Sequence, residues 1–215
     1  MVQFWIDNSD LFIEGALVTL RLTLLSFALA LLIGVVVASF RVSPIPPLVR
    51  FATVYVSIFR NIPLIVIFFL FFFGLTKVGI QFSPFVSAVL VMGTYTGAYM
   101  AEVVRSGINS VSAGQAEAGR AIGLSFTQLL ALVVVPQALR TVVAPIGNLF
   151  VANAKNTSIA LTIGVVELTS VSRNLINATA QTWASLFGAA ALYTVFLLAS
   201  GYVFGAIERR YAIHR

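Results

Sequence analysis

The chain has 215 residues, of which 60% are hydrophobic and 9% charged, with 13 Lys and Arg against 7 Asp and Glu and no cysteine. A water-soluble domain of this length carries about 25% charged residues to cover its surface, so the composition excludes most soluble classes and points to a chain solvated largely by lipid. The net charge of +6 is scattered, with no Lys/Arg run longer than two residues, which is not the clustered footprint of a nucleic-acid binder.

In chain order, residues 1–14 are acidic and lack the basic start of a signal peptide, and are expected to form an extracytoplasmic segment. A crossing helix needs about 20 predominantly apolar residues. Stretches able to meet that length are Gly15 to Phe40, Phe51 to Leu75, Pro84 to Val104, a region after Arg140, and Trp183 to Phe204. Five spans in an all-α membrane protein are therefore expected. The second is interrupted by Arg60-Asn61-Ile62-Pro63, where the proline predicts a local kink.

The fourth span is unusual. Thr141 to Asn153 is too short to cross, Ala154-Lys155-Asn156-Thr157-Ser158 is polar, and Ile159 to Val166 is apolar again. Either the pieces form one discontinuous helix with open backbone at membrane depth, or the crossing ends near Asn153 and Lys155 snorkels to the outer interface.

The charges orient the spans. Arg41, Arg50, Arg105, Arg120, Arg209, Arg210 and Arg215 fall on one side, and Lys77 and Arg173 on the other. Because Lys and Arg are retained in the cytoplasm, the N-terminus is expected outside and the C-terminus inside.

The cytoplasmic loop, residues 106–128, carries two capping boxes, Ser112 to Gln115 and Ser125 to Gln128, separated by Gly123 as a left-handed helix stop. A helix over 113–122, then a glycine elbow, then a second helix at a new angle are predicted.

Glu117-Ala118-Gly119, Gly123, Val133, Val135 and Pro136 resemble the EAA loop of ABC importer permeases, with Gly119 where that family has Ala. Arg60-Asn61-Ile62-Pro63-Leu64, Tyr95-Thr96, Ala101-Glu102-Val103-Val104-Arg105, Pro136-Gln137-Ala138-Leu139-Arg140 and Lys155-Asn156-Thr157-Ser158 narrow the resemblance to the polar amino acid permeases of the histidine/glutamate/arginine type. It covers roughly residues 15–208, leaving a basic tail at 209–215 expected in the cytoplasm.

The resemblance implies a multi-pass type I importer subunit in the cell (plasma or inner) membrane of a prokaryote. It also implies a second permease chain, same or related, a pair of cytosolic ATPases, and an extracytoplasmic amino acid-binding protein. No Gly-x-x-x-x-Gly-Lys-Ser/Thr loop is present, so ATP and Mg are expected in the partner ATPase, with no cofactor in this chain. With His214 as the single histidine and no cysteine, no metal site or catalytic residue is expected either. The implied ATPase-coupling residues are Gly114, Gln115, Ala116, Glu117, Ala118 and Gly123.

Candidate substrate-binding residues are Ser57, Arg60, Asn61, Thr96, Lys155, Asn156, Thr157 and Ser158, chosen because polar groups at membrane depth are costly unless used. Thr96 and Tyr99 suit either a cavity wall or interhelical hydrogen bonds. Glu102 and Arg105 are spaced to pair on one helix face. In the family the positions of Ser57 and Asn156 are frequently acidic. Their neutrality here, beside Arg60 and Lys155, favours an anionic or neutral polar amino acid, glutamate first. The rival class is a self-sufficient channel or secondary transporter, which has no need of a docking elbow.

Overall fold

The computed structural model describes residues 1–211, which are helical apart from short connections, with no strand among them. Of the tail at 209–215, residues 212–215, including His214 and Arg215, lie outside the described residues. The helices are α1 (Val2–Asp7), α2 (Ser9–Arg41), α3 (Pro46–Asn61), α4 (Leu64–Lys77), α5 (Pro84–Asn109), α6 (Ala113–Ala121), α7 (Phe126–Leu129), α8 (Val135–Asn156), α9 (Leu168–Thr179) and α10 (Thr182–Tyr211). The first span starts earlier than its apolar run. Its helix reaches back to Ser9, and α1 is tied to the start of α10 by the Trp5 indole, which donates to the Ala184 carbonyl at 2.7 Å.

Close approaches define the helix directions. Gly93 and Gly97 of α5 face Leu29 and Ile33 of α2, and Met100 faces Gly34, so the numbering rises together and the two helices run parallel. A Cβ on Gly97 would lie 2.9 Å from Ile33 Cγ2, so glycine lets these backbones approach. Helix α8 is antiparallel to α5, with Thr96 opposite Asn153 and Gly107 against Val142. Helix α10 is antiparallel to α8, with Phe204 against Gly147 and Tyr193 near Thr157.

Since α2 and α5 are parallel, the α3–α4 pair between them carries the chain back. The two halves meet at 104°, far more than the kink expected at Pro63. Proline disfavours the α region for the residue before it, and Ile62 is extended (φ −100°, ψ 132°), so α3 stops at Asn61 and α4 restarts after Pro63.

By length and composition, α2, the run Phe126–Ile163 and α10 can each cross a membrane, and the bent pair makes a fourth candidate. Helix α5 is more polar than these, and eleven of its residues, from Ser87 to Gly107, are buried among its neighbours. Protein rather than lipid solvates it, which removes the need for an apolar surface.

The fourth span corrects the reading of a discontinuous helix with open backbone. The helical run begins at Phe126 and continues without an open backbone to Ile163, so Arg140 lies within it rather than before it. Two local changes of pitch replace the expected break. At Leu130–Val134 the helix widens to a π turn, with the Val135 N–H bonded to the Leu130 carbonyl. Pro136 has no N–H to offer the Leu132 carbonyl, which accounts for the widening, and the Gln137 side-chain amide donates to Val133 O at 3.0 Å. At Thr157–Ile163 the helix tightens to 3₁₀ and ends on Gly164 in the left-handed region (φ +90°).

Candidate functional site

A cavity of about 330 Å³ opens between α2, α3 and α5, lined by Arg41, Val56, Ser57, Arg60, Asn61, Tyr99 and Glu102. Its charge is organised around Glu102. One carboxylate oxygen, Oε1, pairs with Arg41 and, at 3.7 Å, with Arg60; the other, Oε2, accepts from Arg105 Nη2 at 2.8 Å and Nε at 3.3 Å. The expected Glu102–Arg105 pair is thus present, within a cluster of one carboxylate and three guanidinium groups. Arg41 is the last residue of α2 and Arg105 sits near the end of α5. Arg60, in the last turn of α3 just before the 104° bend, reaches the same glutamate.

Arg60 is the loosest member. Its side chain is 44% exposed, against 18% for Arg41, and its guanidinium lies 5.4 Å from the Tyr99 ring centroid in a cation–π contact. The Tyr99 hydroxyl leans toward the Arg60 carbonyl at 3.4 Å and the Tyr95 hydroxyl at 3.3 Å. Asn61 donates to the Ser57 carbonyl at 2.7 Å, one turn back on α3.

A second cavity, about 190 Å³, is lined by Tyr95, Thr96, Tyr99, Leu149, Ala152, Asn153 and Asn156. Tyr99 is the wall common to both. Thr96 also serves the helix packing, donating to Asn153 Oδ1 at 2.9 Å. Asn153 is fully buried and its amide donates to Ser26 Oγ at 2.9 Å and Thr23 O at 3.2 Å, so one side chain joins α2, α5 and α8. Sequence reasoning passed over Asn153 as the end of an apolar run, although an amide at membrane depth was itself a signal.

The structure gathers Ser57, Arg60 and Asn61 at the first cavity and Thr96 and Asn156 at the second. It leaves Lys155 exposed and outside the lining of both. Ser158 bonds back to the Lys155 carbonyl at 2.8 Å. Thr157 is buried, bonded to the Ala154 carbonyl and 3.3 Å from the Tyr193 hydroxyl. That hydroxyl belongs to a further polar knot. It donates to Glu167 at 2.9 Å, and the same carboxylate caps α9 by accepting the Thr169 and Ser170 N–H groups, each at 2.8 Å. Burial pushes the Glu167 carboxyl up from its ordinary value, while these donors pull it back.

At the opposite pole from α9, the elbow forms as α6, a turn at Gly123 (φ +86°) and α7. Gly123 N–H bonds to Arg120 O at 2.9 Å and Leu124 N–H to Gly119 O at 3.1 Å, the double closure of a Schellman turn. The Ser125–Gln128 box is complete in both directions. The Ser112 box is not: Ser112 makes no side-chain cap, and its carbonyl receives the Gln115 N–H instead. Gly119 is buried, and a Cβ there would meet Leu129 Cδ1 at 2.6 Å, which gives glycine a packing reason at this place. Gly114, Gln115, Glu117 and Ala118 are exposed and Ala116 is half-buried. Beside them Ile122 and Phe126 are 78% and 70% exposed.

Residues 30–213 match the family described as binding-protein-dependent transport system inner membrane component. The chain belongs to that family. Among relatives of this permease, the probable glutamine ABC transporter permease protein GlnM of Bacillus subtilis (strain 168) is 38% identical over 165 residues, 77% of this chain and 75% of its own length. The glutamate transport system permease protein GluC of Corynebacterium efficiens is 34% identical with both chains fully covered. In three dimensions the permease overlays a chain from the crystal structure of an amino acid ABC transporter with histidines, with a TM-score of 0.91, 30% identity and 97% of each chain covered.

Proposed function

We propose that this chain is the transmembrane permease subunit of an ATP-driven ABC importer for polar amino acids, with glutamate or a related acidic or neutral polar amino acid as the solute. The observation that carries the reading is the first cavity, where Arg41 and Arg60 stand beside Ser57, Asn61 and the single carboxylate of Glu102, which Arg105 also pairs from outside the lining, so the cavity wall is net positive toward a solute that bears a carboxylate. The glutamine and glutamate permeases among its relatives support that solute class.

On this reading the α3–α4 pair acts as one crossing and α5 as another, so the chain crosses five times with its N-terminus outside. The exposed face of α6, with Ile122 and Phe126 at its edge, docks on a cytosolic ATPase. Apolar groups of that size are left in water only where a partner covers them. ATP and Mg belong to that ATPase, a second permease chain completes the pathway, and an extracytoplasmic binding protein delivers the solute. Closure of the ATPase pair drives alternating access through the elbow. The elbow is also what disfavours a self-sufficient channel.

The test is reconstitution of the permease with its ATPase and binding protein in liposomes. Uptake of glutamate or glutamine should require ATP, and hydrolysis should rise when the binding protein is loaded; ATP-independent flux would favour the channel. In the same assembly Ser57→Asp, which adds a second carboxylate to the cavity wall, should shift preference toward arginine. An unchanged preference removes Ser57 from the selective site.

A further inference from the structure

The geometry points to Glu102 as a built-in competitor for the solute, a counter-ion that holds Arg60 when the cavity is empty and gives it up to the carboxylate of an incoming amino acid. This rests on the reading of the chain as an amino acid permease and adds a specific exchange to it.

Three observations lead there. First, Glu102 is oversubscribed. Its Oε2 is committed to Arg105 at 2.8 Å, while its Oε1 serves both Arg41 and Arg60. Second, the three arginines are not equivalent. Arg60 stands 3.7 Å from Glu102 and is 44% exposed, so its pairing with Glu102 is weak by both distance and solvation. Its remaining support is the face of Tyr99, which orients the guanidinium without consuming its N–H donors. Third, Arg60 stands in the last turn of α3, two residues before the extended Ile62 at the 104° turn, where the chain leaves the helix.

A planar guanidinium with free donors is matched to a carboxylate in a two-point contact. The net positive wall formed by Arg41, Arg60 and Glu102 favours the approach of that carboxylate. Arg41 and Arg105 keep Glu102 in place, so the competing anion never leaves. A transport site has to bind strongly enough to load and weakly enough to release, and a resident carboxylate beside the binding arginine supplies the release.

The experiment is equilibrium binding of radiolabelled L-glutamine and L-glutamate to the permease–ATPase assembly in nanodiscs without binding protein, with uptake measured on the complete system. Glu102→Gln preserves shape and hydrogen-bonding capacity but removes the competing charge. It should tighten interior binding about tenfold, equal to about 1.4 kcal/mol, and lower the maximal uptake rate along with KM. A purely structural role for Glu102 would instead weaken binding or leave it unchanged, and either result overturns the exchange.

Arg60→Gln gives an independent arm if Glu102→Gln does not assemble. It should weaken L-glutamine binding at least tenfold while leaving unchanged the weaker binding of 4-aminobutanamide, the same molecule without its α-carboxylate. Equal losses for both, or no loss, overturn the proposal. So does an assembly that imports either amino acid yet binds neither inside at millimolar concentration. Failure of the complete system to import any amino acid would be the distinct failure of the permease reading itself.

Discussion

Gly123→Pro should abolish coupled uptake, by more than tenfold, while the protein still inserts and accumulates in the membrane. Gly123 has φ +86°, and proline is confined to about −65°, so the turn between α6 and α7 cannot form with proline in it. The substitution also deletes the N–H that closes on the Arg120 carbonyl at 2.9 Å. What is lost is the angle between the two loop helices, on which the proposed docking face depends, whereas the crossing helices are untouched. ATP hydrolysis by the assembly should persist without uptake. Gly123→Ala is the control. An L residue in the left-handed region costs roughly 1–2 kcal/mol, and no atom stands within 4 Å of its new Cβ, so uptake should fall only modestly. Normal uptake in the proline variant, measured at equal membrane abundance, would show that the elbow does not transmit the ATPase motion.

Asn153→Leu should give the largest loss of stability of any single polar substitution in the bundle. The amide is fully buried and makes three hydrogen bonds, to Thr96, Ser26 and the Thr23 carbonyl, that hold α2, α5 and α8 together. Interhelical bonds in membranes average about 0.6 kcal/mol and reach about 1–2, and leucine also strands the Thr96 hydroxyl, at about 1–3 kcal/mol for a buried unmet donor. The unfolding temperature in detergent should fall by several degrees. Asn153→Leu combined with Thr96→Val should recover part of it, because the stranded hydroxyl goes too. A double variant less stable than the single one would mean that Asn153 acts through packing alone.

The elbow was legible because its determinants are local: a glycine stop and a capping box specify backbone angles within a few residues. The Ser125 box formed and the Ser112 box did not, although the two have the same spacing. At the second, both reciprocal bonds of Ser125 and Gln128 are made; at the first, the Gln115 N–H turns to the Ser112 carbonyl, so α6 starts without a side-chain cap and is closed only at its other end, by the turn at Gly123.

The discontinuous reading of the fourth span fails for a related reason. A polar cluster at Lys155–Ser158 looks like a break when hydropathy is averaged along the chain. The helix survives because Ser158 bonds back to its own backbone, while Thr157 is buried with one hydroxyl bond to the backbone and Tyr193 nearby. Arg60 and Asn61 were legible as polar groups in an apolar stretch, and Ser57 through the family resemblance. Tyr99 was legible as a candidate cavity wall, but that Arg41 and Glu102 join it beside Arg60 could not be read off, since they come from α2 and α5.

The sequence by itself determined that the chain lives in lipid, that it is helical, where its elbow turns and which end of it gathers positive charge, because composition and short-range backbone chemistry suffice for each. Only the tertiary structure decided that α2 and α5 run parallel, that Pro63 marks a 104° turn rather than a kink, and that three arginines converge on one glutamate. Those depend on glycine faces meeting across helices and on charges 61 and 42 residues from Glu102 along the chain, at Arg41 and Arg60, which no periodicity within one segment records.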